Sequence, residues 1–455
     1  MAEAKLRREV SALHAVMILV GYIVGSAIFI LVGPLAGLSG PGLFVAFGIA
    51  AIPAIFVCLY NTQLSTALPV TGANYIAISR FVHPFAGWIG GGILIAVFFG
   101  LASIAWGFAG FLSYLVPGIP VMAVAMGVVV FFAVINYFGI RFAAWIQTLL
   151  VLTFLVALLL FTFGGLPHID PRLHTPLFPL GFGPVLFTAV IAYMTFTGFT
   201  VITDIAGEIR NPRRNIPLAL GISFAIVLFI YMLVTYVLTG VMDWRALGES
   251  PAALAEASTV FFPPGLTLFI AIGGLLAAAT TINGIFLATP RDLLLYGKDK
   301  VLPEFVGRIN QRFGTPDGAI LLILIAGLVG VSIAMRIEQY ALFTVMCFMM
   351  FHILIVIGLI RMSRKMPHLL KKAPWKLSRG WMWFTYIGMI FFAGLFFVIG
   401  MTTLSWTGLG LFWGLFAAGC LYYYFRWLYL RRRGIDIVTD AKKFIVMTAE
   451  ELEVD

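Results

Sequence analysis

What most constrains this chain is how far it runs without a charge. No Asp, Glu, Lys or Arg lies between Glu9 and Arg80, between Arg80 and Arg141, or between Arg379 and Arg426. One membrane-spanning helix needs about 20 apolar residues, and each of these stretches is far longer. A helix facing water would show a polar side at every turn, so a soluble core does not account for them. The composition agrees: 62% of the 455 residues are hydrophobic and 11% charged, against about 25% charged in an ordinary soluble domain. The net charge of +10 would point to nucleic acid in a soluble chain. Here the charges have meaning only relative to the bilayer, and no nucleic-acid partner is expected. Cys58, Cys347 and Cys420 sit in apolar runs, which argues against a disulfide framework. Lys5, Arg7 and Arg8 imitate the start of a signal peptide, but the apolar run 13–38 is too long and lacks a convincing cleavage site, so it is read as the first span.

Cutting the apolar runs at Pro, Gly and charge clusters predicts an all-α membrane protein of twelve transmembrane helices. They fall at 13–38, 44–65, 85–115, 120–138, 143–166, 183–206, 216–241, 265–289, 319–335, 340–360, 381–403 and 408–429. With both termini cytoplasmic, only Arg172, Arg245 and Arg336 of the 29 Lys and Arg residues face outside, and this asymmetry sets the orientation. Adding or removing one helix would scatter the basic loops over both sides. A β-barrel would show ten-residue alternation instead of continuous apolar runs. The chain divides into a cytoplasmic N-terminus (1–12), five spans (13–166), an extracellular loop (167–182), five more spans (183–360), a basic cytoplasmic linker (361–380), two further spans (381–429) and a cytoplasmic tail (430–455). In the linker, Arg364, Lys365, Lys371 and Lys372 obey the inside rule and meet anionic lipid, each worth on the order of 1 kcal/mol near the surface.

Glycine-rich interruptions at mid-membrane depth are tolerated where they line a cavity or are buried in protein. The first span carries Gly21, Tyr22, Ile23, Val24, Gly25, Ser26, Ala27, Ile28 and Phe29 at its middle, and the sixth carries Thr195, Phe196, Thr197, Gly198, Phe199 and Thr200. These positions correspond in two five-helix halves, spans one to five and six to ten, which is the pattern that marks a transporter site at the midplane. Close helix packing on small residues is the competing explanation.

Several motifs then resemble one family, the amino acid–polyamine–organocation (APC) transporters. Gly25-Ser26-Ala27-Ile28-Phe29 is similar to its Gly-Ser-Gly-Ile-Phe signature, with Ala27 in place of a glycine. Pro69 to Tyr75 with Arg80, Gly87 and Trp88, then Asn136, Gly139 and Gln147, resemble its next connections. So do Phe196 to Phe199 with Glu208, Asn211-Pro212-Arg213 and Ile216-Pro217, and Pro290-Arg291-Asp292 with Gly297, Asp299, Leu302-Pro303, Asn310 and Gly314-Thr315-Pro316. The resemblance implies two inverted five-helix repeats plus two peripheral helices, discontinuous helices 1 and 6, alternating access, a small-molecule amino acid substrate and a plasma-membrane location. Physically, a half-helix starting near Ile28 offers N–H groups and a positive dipole end to a carboxylate. Carbonyls near Ile23, Phe196 and Thr197 suit an ammonium group. The expected binding residues are therefore Ile23, Gly25, Ser26, Ala27, Phe196, Thr197, Gly198, Phe199 and Thr200, with Phe196 and Phe199 closing over the ligand.

Neither break holds a charge, and an unpaired ligand charge at the midplane is costly, so a neutral side chain is expected. Asp204 is either a functional carboxylate or a partner of Arg210 or Arg213, and Glu208 is a gate or loop anchor. Some family members resemble each other in a lysine midway along the fifth helix; the matching position here is Phe154. In sodium-coupled relatives the cation lies between helices 1 and 8, which maps to Gly21, Val24, Ala277, Thr280 and Thr281. These supply oxygens suited to a hard cation. Back-bonding of the threonine hydroxyls within their helix is the alternative. Sodium symport is the first expectation, with Na+ the one ion in place of a cofactor; an exchanger or proton symporter is the second, and a polyamine or organic-cation transporter or a channel is more remote. His14 and His352 read as hydrogen-bonded packing residues. An enzyme is not expected, since no metal cluster, nucleophile elbow or phosphate loop is present. Lipids are the only other partner expected, and no protein partner is required.

Overall fold

The computed structural model describes residues 10–439, apart from 71, 91–92, 139, 311, 373–374 and 376; the side chains of 93, 140–148, 205, 208 and 371–372 are likewise outside it. The first half runs α1 (Ala12–Ser39), α2 (Leu43–Ala67), α3 (Ala73–Phe81), α4 (Pro84–Gly90), α5 (Ile93–Leu115), α6 (Val121–Phe138) and α7 (Ile140–Gly165). Next come α8 (Phe182–Ala192), a 3-10 helix over Tyr193–Val201, α9 (Ile202–Ile205), α10 (Pro212–Val241), α11 (Trp244–Glu249), α12 (Ala253–Ser258) and α13 (Pro264–Lys298). The chain ends in α14 (Asp317–Ser332), α15 (Ile337–Lys365), α16 (Pro367–Lys372), α17 (Arg379–Thr403) and α18 (Trp406–Arg432). Among the described residues no strand forms, and Val10 and Ile209 make one isolated parallel bridge.

Among the described residues, ten stretches are long and apolar enough to cross a membrane, and the first of them, Ala12–Ala67, contains both α1 and α2. The apolar α14 is a shorter helix. Over the expected span 85–115 the described residues form α4 and α5, residues 91 and 92 between them lie outside the described residues, and Pro84–Leu115 is a single candidate span. The eighth span was expected to stop at 289, but α13 continues through Pro290 to Lys298. Proline removes one helical N–H, a loss that neighbouring helices make tolerable in a membrane bundle. The short helices α3, α11 and α12 lie in stretches that the sequence reads as connections.

The centre of the bundle is α1, which packs against α10, α13, α5 and the 3-10 segment, while α13 also packs on α7 and α5. At the periphery the rings of Phe131, Phe163, Phe229, Phe391 and Phe425 are more than half exposed. Such a surface is what a lipid-facing layer requires, because there the polar groups rather than the apolar ones must be hidden.

One end of the bundle is basic. There Arg80 meets Asp299, Arg361 Nη1 donates to Val82 O (3.2 Å), and Arg426 Nε donates to Lys300 O (2.9 Å). At the opposite end the second half of α1 meets α11 with almost no space between backbones: a Cβ at Gly37 would stand 2.9 Å from Gly248 Cα.

Candidate functional site

The helix of α1 is broken at Gly25, whose φ of −28° and ψ of −124° leave the helical region. The close approach requires glycine, because a Cβ there would land on Thr281 Oγ1 of α13, with Ala277 O 3.6 Å away. The break redirects the local backbone groups. Ser26 N–H donates to Thr281 Oγ1 at 2.9 Å, and Ile23 O accepts from Tyr231 Oη at 2.6 Å. Tyr231 also donates to Thr195 O at 3.1 Å, so this phenol on α10 pins the first and sixth spans together. The groups expected to meet a ligand's carboxylate and ammonium thus already hold protein partners at Ser26 N–H and Ile23 O. Ser26 Oγ does not: it is buried and without a hydrogen-bond partner.

The sixth span does not open. Residues Tyr193–Val201 tighten into a 3-10 helix, in which residues three apart stack on one side. The threonines drive the tightening through hydroxyls that donate three residues back: Thr195 to Ala192 O (2.7 Å), Thr197 to Met194 O (2.8 Å), Thr200 to Thr197 O (3.0 Å) and Thr203 to Thr200 O (2.7 Å). Gly198 lets this segment close on α1, since a Cβ there would stand 2.6 Å from Ile23 Cγ1.

A cavity of about 140 Å³ lies between these elements, on the scale of the ~150 Å³ cavity that admits a benzene ring. Ile23, Ser26 and Ala27 line it from α1, Thr197, Gly198 and Thr200 from the sixth span, and Thr281 from α13. Apolar walls come from Ile104, Ile285, Phe348 and Phe351. Phe196 and Phe199 face the other way: Phe196 packs on Tyr231 (centroids 5.2 Å) and Phe199 on Phe224 (5.7 Å). The phenylalanines at the cavity are Phe348 and Phe351 of α15, which no short motif marks, and Tyr22, Tyr75 and Tyr296 line it as well.

The five residues expected around a sodium ion come from the two helices that touch at Gly25. Thr280 Oγ1 donates to Ala277 O (2.7 Å), and Thr281 Oγ1 donates to the same carbonyl (3.2 Å) while accepting from Ser26 N–H. Gly21 packs against Val151, and Val24 is buried. Phe154 is buried edge-on to Phe29 (centroids 6.4 Å), so an aromatic ring fills the position where the family's lysine would stand.

Toward the basic end the cavity acquires charge. Asp204 accepts from Thr203 Oγ1 (3.2 Å), and Asn74 Nδ2 donates to that hydroxyl (2.6 Å). The Asp204 carboxyl meets that of Asp292 on α13, with the Arg291 charge acting on both. This replaces the expected pairing of Asp204 with Arg210 or Arg213. The side chains of Glu208 and Gln147, and residues Thr71 and Gly139, lie outside the described residues.

Beside the aspartates, where Tyr75 and Tyr296 line the cavity, stands a cluster the motifs hinted at without assembling. Arg80 binds Asp299 through both Nη atoms at 2.6 Å, and Tyr75 Oη donates to Asp299 at 2.7 Å. Tyr75 lies 4.1 Å from Tyr296, ring to ring, and Tyr296 meets Trp88. Burial alone would lower the Arg80 pKa, but the hydrogen bond and charge of Asp299 outweigh it and hold the guanidinium above its usual range. Burial, followed by the Asp299 charge, pushes the Tyr75 phenol well above its own.

Residues 10–425 match the amino acid permease family. The branched-chain amino acid permease BcaP of Bacillus subtilis is 22% identical over 69% of this chain and 72% of its own. Cationic amino acid transporter 4 of Homo sapiens is 27% identical over 69% of this chain and 53% of its own. An uncharacterized protein of Methanocaldococcus jannaschii is 30% identical over 77% of this chain and 82% of its own. The chain belongs to the amino acid permease family of the APC superfamily: it is a multi-pass membrane transporter and not an enzyme.

Proposed function

We propose that this permease is a secondary active transporter of neutral amino acids, coupled to sodium and working by alternating access in the cell membrane. In this reading it has twelve spans, with two inverted five-helix repeats, two peripheral helices and both termini cytoplasmic. The twelve are α1, α2, α4 with α5, α6, α7, α8 through α9, α10, α13, α14, α15, α17 and α18. The observation that carries the reading is Ser26 Oγ, a buried hydroxyl with no partner, lining an otherwise well-satisfied break in α1. Buried polar groups normally find partners, so an orphan beside a cavity marks where a polar ligand completes the set. The apolar walls at Ile104, Ile285 and Phe348 suit a neutral side chain. Of the relatives, the one named for branched-chain amino acids supports the same class.

The test is uptake of labelled neutral amino acids into proteoliposomes under an inward sodium gradient, an inward proton gradient, or neither. Concentrative uptake that requires sodium is expected. Uptake driven equally by protons or by internal amino acid would move the protein to proton symport or exchange, and ohmic currents without saturation or counterflow would make it a channel. Thr281→Ala removes the hydroxyl that bridges Ser26 N–H to Ala277 O. We expect it to raise the sodium concentration for half-maximal uptake by about tenfold, the equivalent of 1.4 kcal/mol. Unchanged sodium activation would remove Thr281 from the cation's surroundings.

A further inference from the structure

We propose that Asp204, Asp292 and Asn74 form a sodium site at the basic end of the cavity, separate from the Gly21–Thr281 region; the proposal rests on the reading of this protein as a cation-coupled transporter. Asp204 and Asp292 are both buried, come from different helices and line the same cavity. Two carboxyl groups in contact inside a membrane-spanning bundle repel unless a positive charge joins them. Arg291 contributes to that balance electrostatically.

A second, independent observation comes from Asn74 on α3. It is 5% exposed and lines the cavity, its Nδ2 is fixed on Thr203 beside Asp204, and its Oδ1 has no partner. A buried carbonyl oxygen without a donor costs about 1–3 kcal/mol, so it points to a ligand that supplies one. With both carboxyl groups ionised, Asp204, Asp292 and Asn74 Oδ1 offer acceptor oxygens to one cavity. A proton held between the two carboxyl groups would leave Asn74 Oδ1 unsatisfied; a small hard cation engages all three, since oxygen ligands are what such ions select. The three groups also belong to three elements, α3, α9 and α13, so a cation here would tie those elements together.

Binding of radiolabelled sodium to the purified full-length protein tests this directly, in wild type, Asp204→Asn, Asp292→Asn, Asn74→Ala and the surface control Asp243→Asn, each checked for monodispersity. Sodium affinity is expected to fall about tenfold or more in both aspartate variants and by less in Asn74→Ala, while the exposed control Asp243→Asn keeps wild-type affinity. Wild-type affinity in Asp204→Asn and Asp292→Asn overturns the proposal, as does a wild-type protein that binds no sodium. If one aspartate variant aggregates, the other and Asn74→Ala give the same readout. Amino acid counterflow by the wild type separates the two failures. Counterflow with no loss of sodium binding in the aspartate variants removes this site alone, whereas absent counterflow removes the transport reading beneath it.

Discussion

Gly25→Ala protein is expected to reach the membrane and remain monodisperse, yet to lose amino acid binding. The added methyl would occupy the place of Thr281 Oγ1, which is not a free side-chain end: it accepts from Ser26 N–H and donates to Ala277 O. To make room, α1 must withdraw from α13 or the break must rewind. Overpacking of this kind costs about 1–3 kcal/mol. That is small beside the stability of a large helical bundle but large at the site, where a misplacement of about 1 Å can reduce activity a hundredfold. Uptake should therefore fall by about two orders of magnitude or more. Equilibrium binding of labelled substrate to purified protein is the measurement, and wild-type affinity in Gly25→Ala would show that the break is not the binding site.

The largest effect on stability is expected from Asp299→Asn. The guanidinium of Arg80 is almost wholly buried, with its side chain 2% exposed, and Asp299 engages both Nη atoms. Neutralising the carboxylate removes the counter-charge that engages both Nη atoms of a buried guanidinium, a loss of about 3–5 kcal/mol. Tyr75 would also lose its charged acceptor. Surface pairs such as Arg245–Asp243, whose side chains are 69% and 47% exposed, are worth far less, so Asp243→Asn is the matched control. Thermal unfolding in detergent should place Asp299→Asn well below wild type and Asp243→Asn beside it. The double variant Arg80→Gln with Asp299→Asn should recover part of the loss, because the charge and its counter-charge are removed together. Additive losses would mean that the two side chains act independently.

The membrane class, the course of the long helices and the break at Gly25 were legible in the sequence because each follows from a local property: absence of charge, length, and small residues at mid-span. The geometry of the sixth span was not. Its threonine spacing reads as an opening, but hydroxyls that donate three residues back wind it tighter, and only the surrounding packing decides between the two. Asp292 belongs to a motif that reads as the connection after a span ending at 289. Had α13 been extended past Pro290, the same carboxyl would have stood out as a charge inside a span. The tie from Tyr231 to Ile23 O joins residues remote in sequence, and no periodicity announces it. Phe348 and Phe351 are two of 42 phenylalanines, and which of them face a cavity depends on how α15 is rotated.

His352 on α15 is fully buried, and its two ring nitrogens meet Tyr60 Oη of α2 at 2.6 Å and Tyr193 Oη at the start of the 3-10 segment at 2.7 Å. A neutral imidazole has one donor and one acceptor, so one phenol gives a proton to the ring and the other receives one. The chain therefore has a direction, and reversing it requires the ring and both hydroxyls to change together. Breaking either link strands a polar group in an apolar interior. If this protein rocks between two states, α2, the sixth span and α15 travel as one rigid frame at this level, and the bending that exposes the cavity must be taken up elsewhere, at Gly25 and along the contact of α1 with α13.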